Sequence, residues 1–443
     1  MTLSTSTGPV DGSDAHPARI DESTAAADHF ELYGLDYHCS ASGTVASFDD
    51  PARAAESLTH GEHAAIVGAL AFNTDAPSAL TVPAHIRFDV PLSSSAPTGS
   101  ATATGPTTEA RVVAAEPLRE VHRDRVAAAV AVLADSTNPL AKVVLARKLL
   151  LDTTPRLTPE LFLAALAAQN PHSGLFRTEL TPAGDAHRGR HLVGASPEVL
   201  VRRRGRQVSA HPLAGSAPRH RDPSVDAERA ATLQSSAKDL GEHRFVVDAL
   251  RNALAPLCTR LDVPDAPSIV GTSSMWHLGT PIVGQLADPS TTALDLAIAV
   301  HPTPAVCGTP TGAAREYILA TEGDRGFYGG AVGWCVGNVS PDDHSPEDLP
   351  RSARPSLLRG TDGLTVSDRR SPHGAVTPGY GGLTAGDGEW LVAIRCGEID
   401  SHTGSLATWA GGGIVADSDP DAEVAETTAK LRTVLRALGA DEI

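Results

Sequence analysis

Positive charge is scarce in this chain: 36 Lys and Arg stand against 53 Asp and Glu, a net charge of −17. Such a chain has no general electrostatic attraction to nucleic acid or to an anionic lipid surface, so neither is an expected partner. Cysteine is scarce as well. Cys39, Cys258, Cys307, Cys335 and Cys396 are odd in number, far apart and free of C-x-x-C spacing, which argues against a disulfide framework or a zinc site and fits a reducing compartment. No segment approaches the roughly 18 uninterrupted apolar residues of a membrane span, and residues 1–29 lack the basic and apolar regions of a secretory signal. A cytoplasmic protein is expected. The phosphate loop G-x-x-x-x-G-K-[ST], a G-x-G-x-x-G after a strand, and H-E-x-x-H are all missing, as is any internal repeat. Nucleotide binding and zinc-protease chemistry therefore have little support.

What the chain does have is 443 residues, 41% of them hydrophobic and 20% charged, ample for a large core in one domain or two. Residues 1–28 offer little to bury and read as a disordered tail. A Ser/Thr/Ala/Gly-rich linker at 93–108 separates a poorly patterned region, 29–109, from a richer one, 110–443. Residues 337–388, dense in Pro, Ser, Gly and Asp, lie between two strand patterns and read as an insertion, either covering a pocket or hanging in solvent.

Between these segments helices and strands mix. Thr158-Pro159-Glu160 before Leu161, Ala164, Ala165 and Ala168 is a cap, a first-turn proline and a helical stripe. Val143–Leu151, Leu192–Arg203 broken at Ser196-Pro197, Gln207–Leu213 and Glu389–Cys396 are short β-rich runs, with Arg204-Gly205 as a hairpin turn. The apolar run Leu294–Val300 leads through His301-Pro302-Thr303-Pro304-Ala305 toward a helix and reads as a strand-to-helix connection. Strands follow one another as often as they alternate with helices, so an α+β fold with antiparallel sheets is expected.

Several side chains carry chemistry. In the C-terminal helix pattern, Glu423, Glu426 and Lys430 fall on one face and Val424, Leu431, Leu435 and Leu438 on another. From the helix alone the plainest account is an i, i+4 ion pair on a solvated surface. Glu242 begins a second helical pattern with Val246, Val247, Leu250 and Leu254. One glutamate from each of two helices suits a hard cation such as Mg²⁺, which takes carboxylate oxygens and keeps open positions for an anionic ligand. Glu198 follows the Ser196-Pro197 break, and Gly411, Gly412 and Gly413 precede the carboxylate helix, where bare backbone allows close approach. Alternation puts Arg395 on the face of Leu391 and Ala393, a partly buried cation in want of a carboxylate. Lys142 opens a strand, a position usually held by a solvated edge charge.

Taken in order, KVVLAR (142–147), GASPEVLV (194–201), HPLAGSAPR (211–219), KDLGEH (238–243), MWHLGTPIVG (275–284), HPTPAVCGTP (301–310), EGDRGFYGGAVGW (322–334), VAIRC (392–396), AGGGIV (410–415) and SDPDAEVAETTAKL (418–431) resemble the chorismate-utilising enzymes, and among their branches most closely the isochorismate synthases. The resemblance covers about residues 110–443. It implies a fold of two facing antiparallel sheets flanked by helices, with 110–443 as the chorismate-binding catalytic domain. It implies reversible conversion of chorismate to isochorismate, by water addition at C2 and loss of the C4 hydroxyl, feeding siderophore or menaquinone biosynthesis.

By motif position, the resemblance makes Lys142 the general base on the incoming water and Glu198 the general acid at the leaving hydroxyl. That assignment needs a neutral amine and a protonated carboxyl, hence a closed pocket. It gives Mg²⁺ to Glu242 and Glu426, with Glu423 an outer partner through water. Arg395, Gly411, Gly412 and Lys430 are expected around the substrate carboxylates, His277 and Ala305 beside the ring, and Glu322 in the pocket. Relatives that use ammonia generally carry an amide at the base position, so Lys142 points to water as nucleophile and to a monomer without a glutaminase subunit. Ala305 and the LAGSA run (213–217) resemble the isochorismate synthases better than the salicylate synthases, which go on to eliminate pyruvate. A salicylate synthase and a non-catalytic chorismate- or metal-binding relative are the alternatives.

Overall fold

A computed structural model of the protein describes residues 28–34, 36–89, 109–272, 275–337 and 382–440. The expected tail (apart from Asp28), the linker at 93–108 and residues 338–381 of the insertion lie outside the described residues.

Every strand pairing among the described residues is antiparallel. Seventeen strands join into one hydrogen-bonded ribbon. Its first half runs from Glu109–Glu116 through Lys142–Thr154, Leu406–Ile414, Cys396–Asp400, Arg190–Ser196 and Gly174–Glu179 to Asp28–Tyr33. There it turns at the hairpin to His38–Phe48. The second half continues through Ala79–Asp89, Ala65–Leu70, Ala331–Val336, Gly388–Val392, Val199–Arg204, Gln207–Ala210 and Ile282–Leu286 to Cys258–Asp262. The two-residue strand Gly308–Thr309 sits beside the start of Lys142–Thr154. Phe30, Phe176, Leu192 and Cys396 from the first half share a buried cluster with Val67, Val332, Trp334 and Leu391 from the second. The two facing sheets of the expected α+β fold are thus halves of one ribbon, folded over a common apolar core.

Helices close the outer faces because each buries one apolar stripe. Phe162 and Leu166 of Pro159–Gln169 and Leu431 and Leu435 of Pro420–Ala437 pack on the first half. Ala54 and Leu58 of Pro51–Thr59, Val246 and Leu250 of Ala237–Leu254, and Leu294 and Ala297 of Ala293–Val300 pack on the second. A separate sheet of Leu213–Pro218, Met275–Gly279 and Ser268–Gly271 stands beside the ribbon.

Two local expectations are corrected. The run Leu294–Val300 is helical, started by a capping box in which Thr292 and Asp295 satisfy each other's backbone amides. A short apolar run does not distinguish a buried strand from a buried helix by period alone, and here the cap decides. Glu389–Cys396 is not one strand: Gly388–Val392 ends before Cys396–Asp400 begins, and Arg395 lies between them at φ +52°. Its direction is therefore set by a left-handed backbone and not by alternation. The hairpin at Arg204-Gly205 is present, with Gly205 at φ +57° and Arg204 paired with Gln207.

Both interruptions have one topological cause. Pro197-Glu198 carries the chain from the first half of the ribbon to the second, and Ala393–Arg395 carries it back. The crossings are bonded to each other, Ala195 N–H to the Arg395 carbonyl (3.0 Å) and Val392 N–H to the Glu198 carbonyl (3.1 Å).

Candidate active site

Glu198 and Arg395, delivered by the two crossings, line one cavity with about 650 Å³ of unoccupied space, part of it continuous with solvent. Glu242, His277, Ala305, Gly411, Glu426 and Lys430 line it too. Burial pushes the Glu198 carboxyl up to about 7, although the Leu213 N–H (3.4 Å) and the positive charge of Lys142 oppose the shift. Ser196 Oγ accepts the Glu198 N–H at 3.2 Å and fixes the turn from which the side chain leaves.

Lys142 does not sit on an exposed edge. It is fully buried and is not itself part of the cavity lining; its Nζ lies 2.9 Å from Glu242 Oε1 and its stem packs beside Gly413, both of which line the cavity. The strand Lys142–Thr154 runs against Leu406–Ile414, pairing Val144, Leu145 and Ala146 with Gly413, Gly412 and Gly411. These glycines make room for acids. A Cβ on Gly413 would lie 2.1 Å from Glu242 Oε1, and one on Gly412 3.0 Å from Glu423 Oε2.

The two carboxylate helices arise from ordinary caps. Ser236 caps Ala237–Leu254 and Asp419, followed by Pro420, caps Pro420–Ala437. Each acid meets a lysine: Lys142 with Glu242, Lys430 with Glu426 at 2.6 Å, and Lys238 with Glu423 at 2.6 Å. Lys430 also donates to the Gly411 carbonyl at 2.9 Å. Burial and the neighbouring Glu426 raise Glu423 to about 7, and its Oε2 is buried without a hydrogen-bond partner. Burial works against the Glu426 charge, but Lys430, Lys238 and the Ser216 hydroxyl together outweigh it and hold that carboxyl below its usual value. On the Glu423, Glu426, Lys430 face, Glu426 and Lys430 line the cavity and Glu423 is buried, so this face is not a solvated surface.

Burial lowers His277 to about 3, leaving a neutral imidazole whose Nε2 has no hydrogen-bond partner in the described structure. It stands on the small sheet opposite Ser216, which follows a bulge at Gly215 (φ +75°) and donates to Glu426 Oε1 at 3.3 Å. Burial also weakens the proton affinity of the Arg395 guanidinium.

Some residues singled out in the sequence stand apart from the lining. Glu423 and Gly412 lie just behind it, in contact with each other. Glu322 does not enter this cavity: its carboxylate accepts the Ala146 N–H at 2.6 Å and pairs with Arg325 at 2.8 Å, facing a neighbouring cavity behind Trp409. Sequence reasoning missed Ser216, Lys238, Tyr328 and Trp409. Tyr328 and Trp409 are stacked at 5.9 Å, and both line the cavity. Lys238 had a signal, since it precedes Glu242 by one helical turn.

Among the described residues, no three carboxyl, imidazole or thiol groups stand close enough to form a metal site as they are placed. The donor chemistry nonetheless suits a hard cation. Glu242, Glu423 and Glu426 come from two helices, Glu423 keeps an orphaned buried oxygen, and each acid has a lysine for a partner.

A model of the chorismate-binding enzyme family matches residues 91–341 and 379–439. Isochorismate synthase DhbC of Bacillus subtilis is 42% identical over 379 residues, spanning 85% of this chain and 81% of its own length. MenF of Mycobacterium tuberculosis is 40% identical over 402 residues, spanning 91% and 94%. The crystal structure of DhbC from Bacillus anthracis superposes with a TM-score of 0.74 at 34% identity, covering 94% of this chain and 96% of that one. The chain belongs to the chorismate-binding enzyme family.

Proposed function

We propose that this protein is an isochorismate synthase, an isomerase that moves a hydroxyl from C4 to C2 of chorismate. The observation that carries the reading is a carboxyl raised to about 7 in a cavity whose lining residue Glu242 is paired with a fully buried lysine, with Arg395 and Lys430 alongside for an anionic substrate. Lys142 removes a proton from a water that forms the new C2–O bond as the ring double bonds shift. Glu198 delivers its proton to the C4 oxygen, which leaves as water. One water enters and one departs, so substrate and product are isomers. His277, held neutral, meets the ring without adding charge.

Arg395, Lys430 and the Gly411 backbone offset the substrate's two negative charges locally, against a net protein charge of −17. Glu242 and Glu426, with Glu423 behind them, would hold Mg²⁺, which when bound would neutralise the ring carboxylate. The lysine at the base position supports water as the nucleophile and a monomer acting without a glutaminase subunit. The product serves siderophore or menaquinone biosynthesis. No helix among the described residues is long and apolar enough to cross a membrane, and a cytoplasmic enzyme is the reading we favour.

Incubation of the pure protein with chorismate, with Mg²⁺ present or withheld, followed by chromatography tests the assignment. Isochorismate formed only with the metal is expected. Salicylate plus pyruvate would make the protein a salicylate synthase, and unchanged chorismate under both conditions would make it a non-catalytic relative.

A further inference from the structure

The strand that carries Lys142 has a gap along one edge. Gly308–Thr309 pairs with Val143 and Lys142, and Glu109–Glu116 pairs from Lys148 onward. Among the described residues the backbone neighbour on that side ends at Cys307, whose carbonyl accepts the Val144 N–H (2.8 Å), and residues 145–147 have no strand neighbour there. Side chains take its place. The Ala146 N–H donates to Glu322 Oε1 (2.6 Å), and Arg325 Nη2 donates to the Val144 carbonyl (2.7 Å). Arg325 Nη1 reaches across to the Val306 carbonyl (3.0 Å), while Nε and Nη2 both lie 2.8 Å from Glu322 Oε2. The guanidinium lies 4.8 Å from the centre of the Phe72 ring. The side chains are 2% and 8% exposed for Arg325 and Glu322, so these bonds meet little competition from water.

We propose that Glu322 and Arg325 are positioning residues: the pair is a side-chain splint that stands in for the missing strand and fixes Lys142 and Val144 against Ala305 and Val306 across the cavity. Val144, Ala305 and Val306 all line that cavity, and Lys142 is two residues from the spliced carbonyl. A planar guanidinium serves two carbonyls and a carboxylate at once, which a lysine ammonium on a flexible stem cannot do with the same geometry. The kinetic part of this inference rests on the isochorismate synthase reading; the structural part does not.

The test uses Glu322→Gln and Arg325→Lys in the full chain, with hydrogen exchange over residues 142–148 read by mass spectrometry alongside steady-state kinetics. In each variant we expect exchange of this segment to quicken by about tenfold or more and kcat to fall by about 10- to 100-fold, the scale of a small misplacement of a reacting group, with KM changed by less than about threefold. A residue that only supported the fold would lower the unfolding midpoint and leave kcat of the folded enzyme unchanged. Unchanged exchange or unchanged kcat in both variants overturns the proposal, as does failure of both to reach the native fold. A wild-type protein inactive on chorismate would instead defeat the functional reading and leave the exchange comparison to decide the splint.

Discussion

At the scale of single residues the proposal turns on where two protons reside. Lys142→Ala and Glu198→Gln should each lower turnover by about 10² or more, the usual scale for acid–base groups, while chorismate binding stays measurable by titration calorimetry. Unchanged rates in both would remove the mechanism. The acid role also sets a sign for pH. Glu198 delivers a proton only while protonated, so with its carboxyl near 7 the rate should fall as pH rises above about 7. Stability follows the same group. Between its ordinary value of 4.5 and about 7 the folded protein keeps a proton that the unfolded chain releases. Its contribution to stability is thus fully present below 4.5 and lost as pH rises through 7. Glu198→Gln removes that ionisation, so its thermal midpoint should exceed the wild type's at pH 8 and match it near pH 4. A midpoint lower than wild type at pH 8 would mean that the buried carboxyl is stabilised by partners beyond those described.

At the scale of elements, the glycines of Leu406–Ile414 are defined by what packs over them. Gly413→Ala would place a methyl 2.1 Å from Glu242 Oε1, forcing that carboxylate from its position beside Lys142, whereas at Gly412 the nearest acid oxygen is 3.0 Å away. Gly413→Ala should therefore cost about tenfold or more in kcat, with a smaller loss for Gly412→Ala and native circular dichroism in both. Equal rates in the two variants would show that Glu242 moves aside without consequence. The sequence made some of this visible and hid the rest. The Glu423, Glu426, Lys430 face was legible because helical period is local. The Ser196-Pro197 break was legible because proline marks it. The break at 393–395 was not, because Val-Ala-Ile-Arg-Cys continues an apolar alternation with no glycine or proline in it. The Lys238–Glu423 pair joins residues 185 apart, a separation that no periodicity reports. Glu322 matched a motif, but only the gap in the neighbouring ladder shows what its carboxylate holds.

At the scale of the whole molecule, the cavity sits where one ribbon changes layers. Glu198 and Arg395 face each other's crossings because Arg190–Ser196 and Cys396–Asp400 pair in the first half while Val199–Arg204 and Gly388–Val392 pair in the second. That arrangement makes the site depend on the ribbon and not on the segment between 337 and 388. The flanking strands Ala331–Val336 and Gly388–Val392 are direct neighbours, with the Val336 N–H bonded to the Asp387 carbonyl and the Gly386 N–H to the Val336 carbonyl, each at 2.8 Å. The family match also skips 342–378. Replacing residues 338–381 with a Gly/Ser linker of about six residues should then leave kcat and KM within about threefold. Shortening this connection from roughly 44 residues should raise stability by about 1–2 kcal/mol through reduced loop-closure entropy. Denaturant unfolding and steady-state kinetics on the shortened chain check both. A KM raised by an order of magnitude with kcat intact would instead give the insertion a part in covering the bound substrate, since the ribbon's pairing would be untouched and only access to the cavity altered.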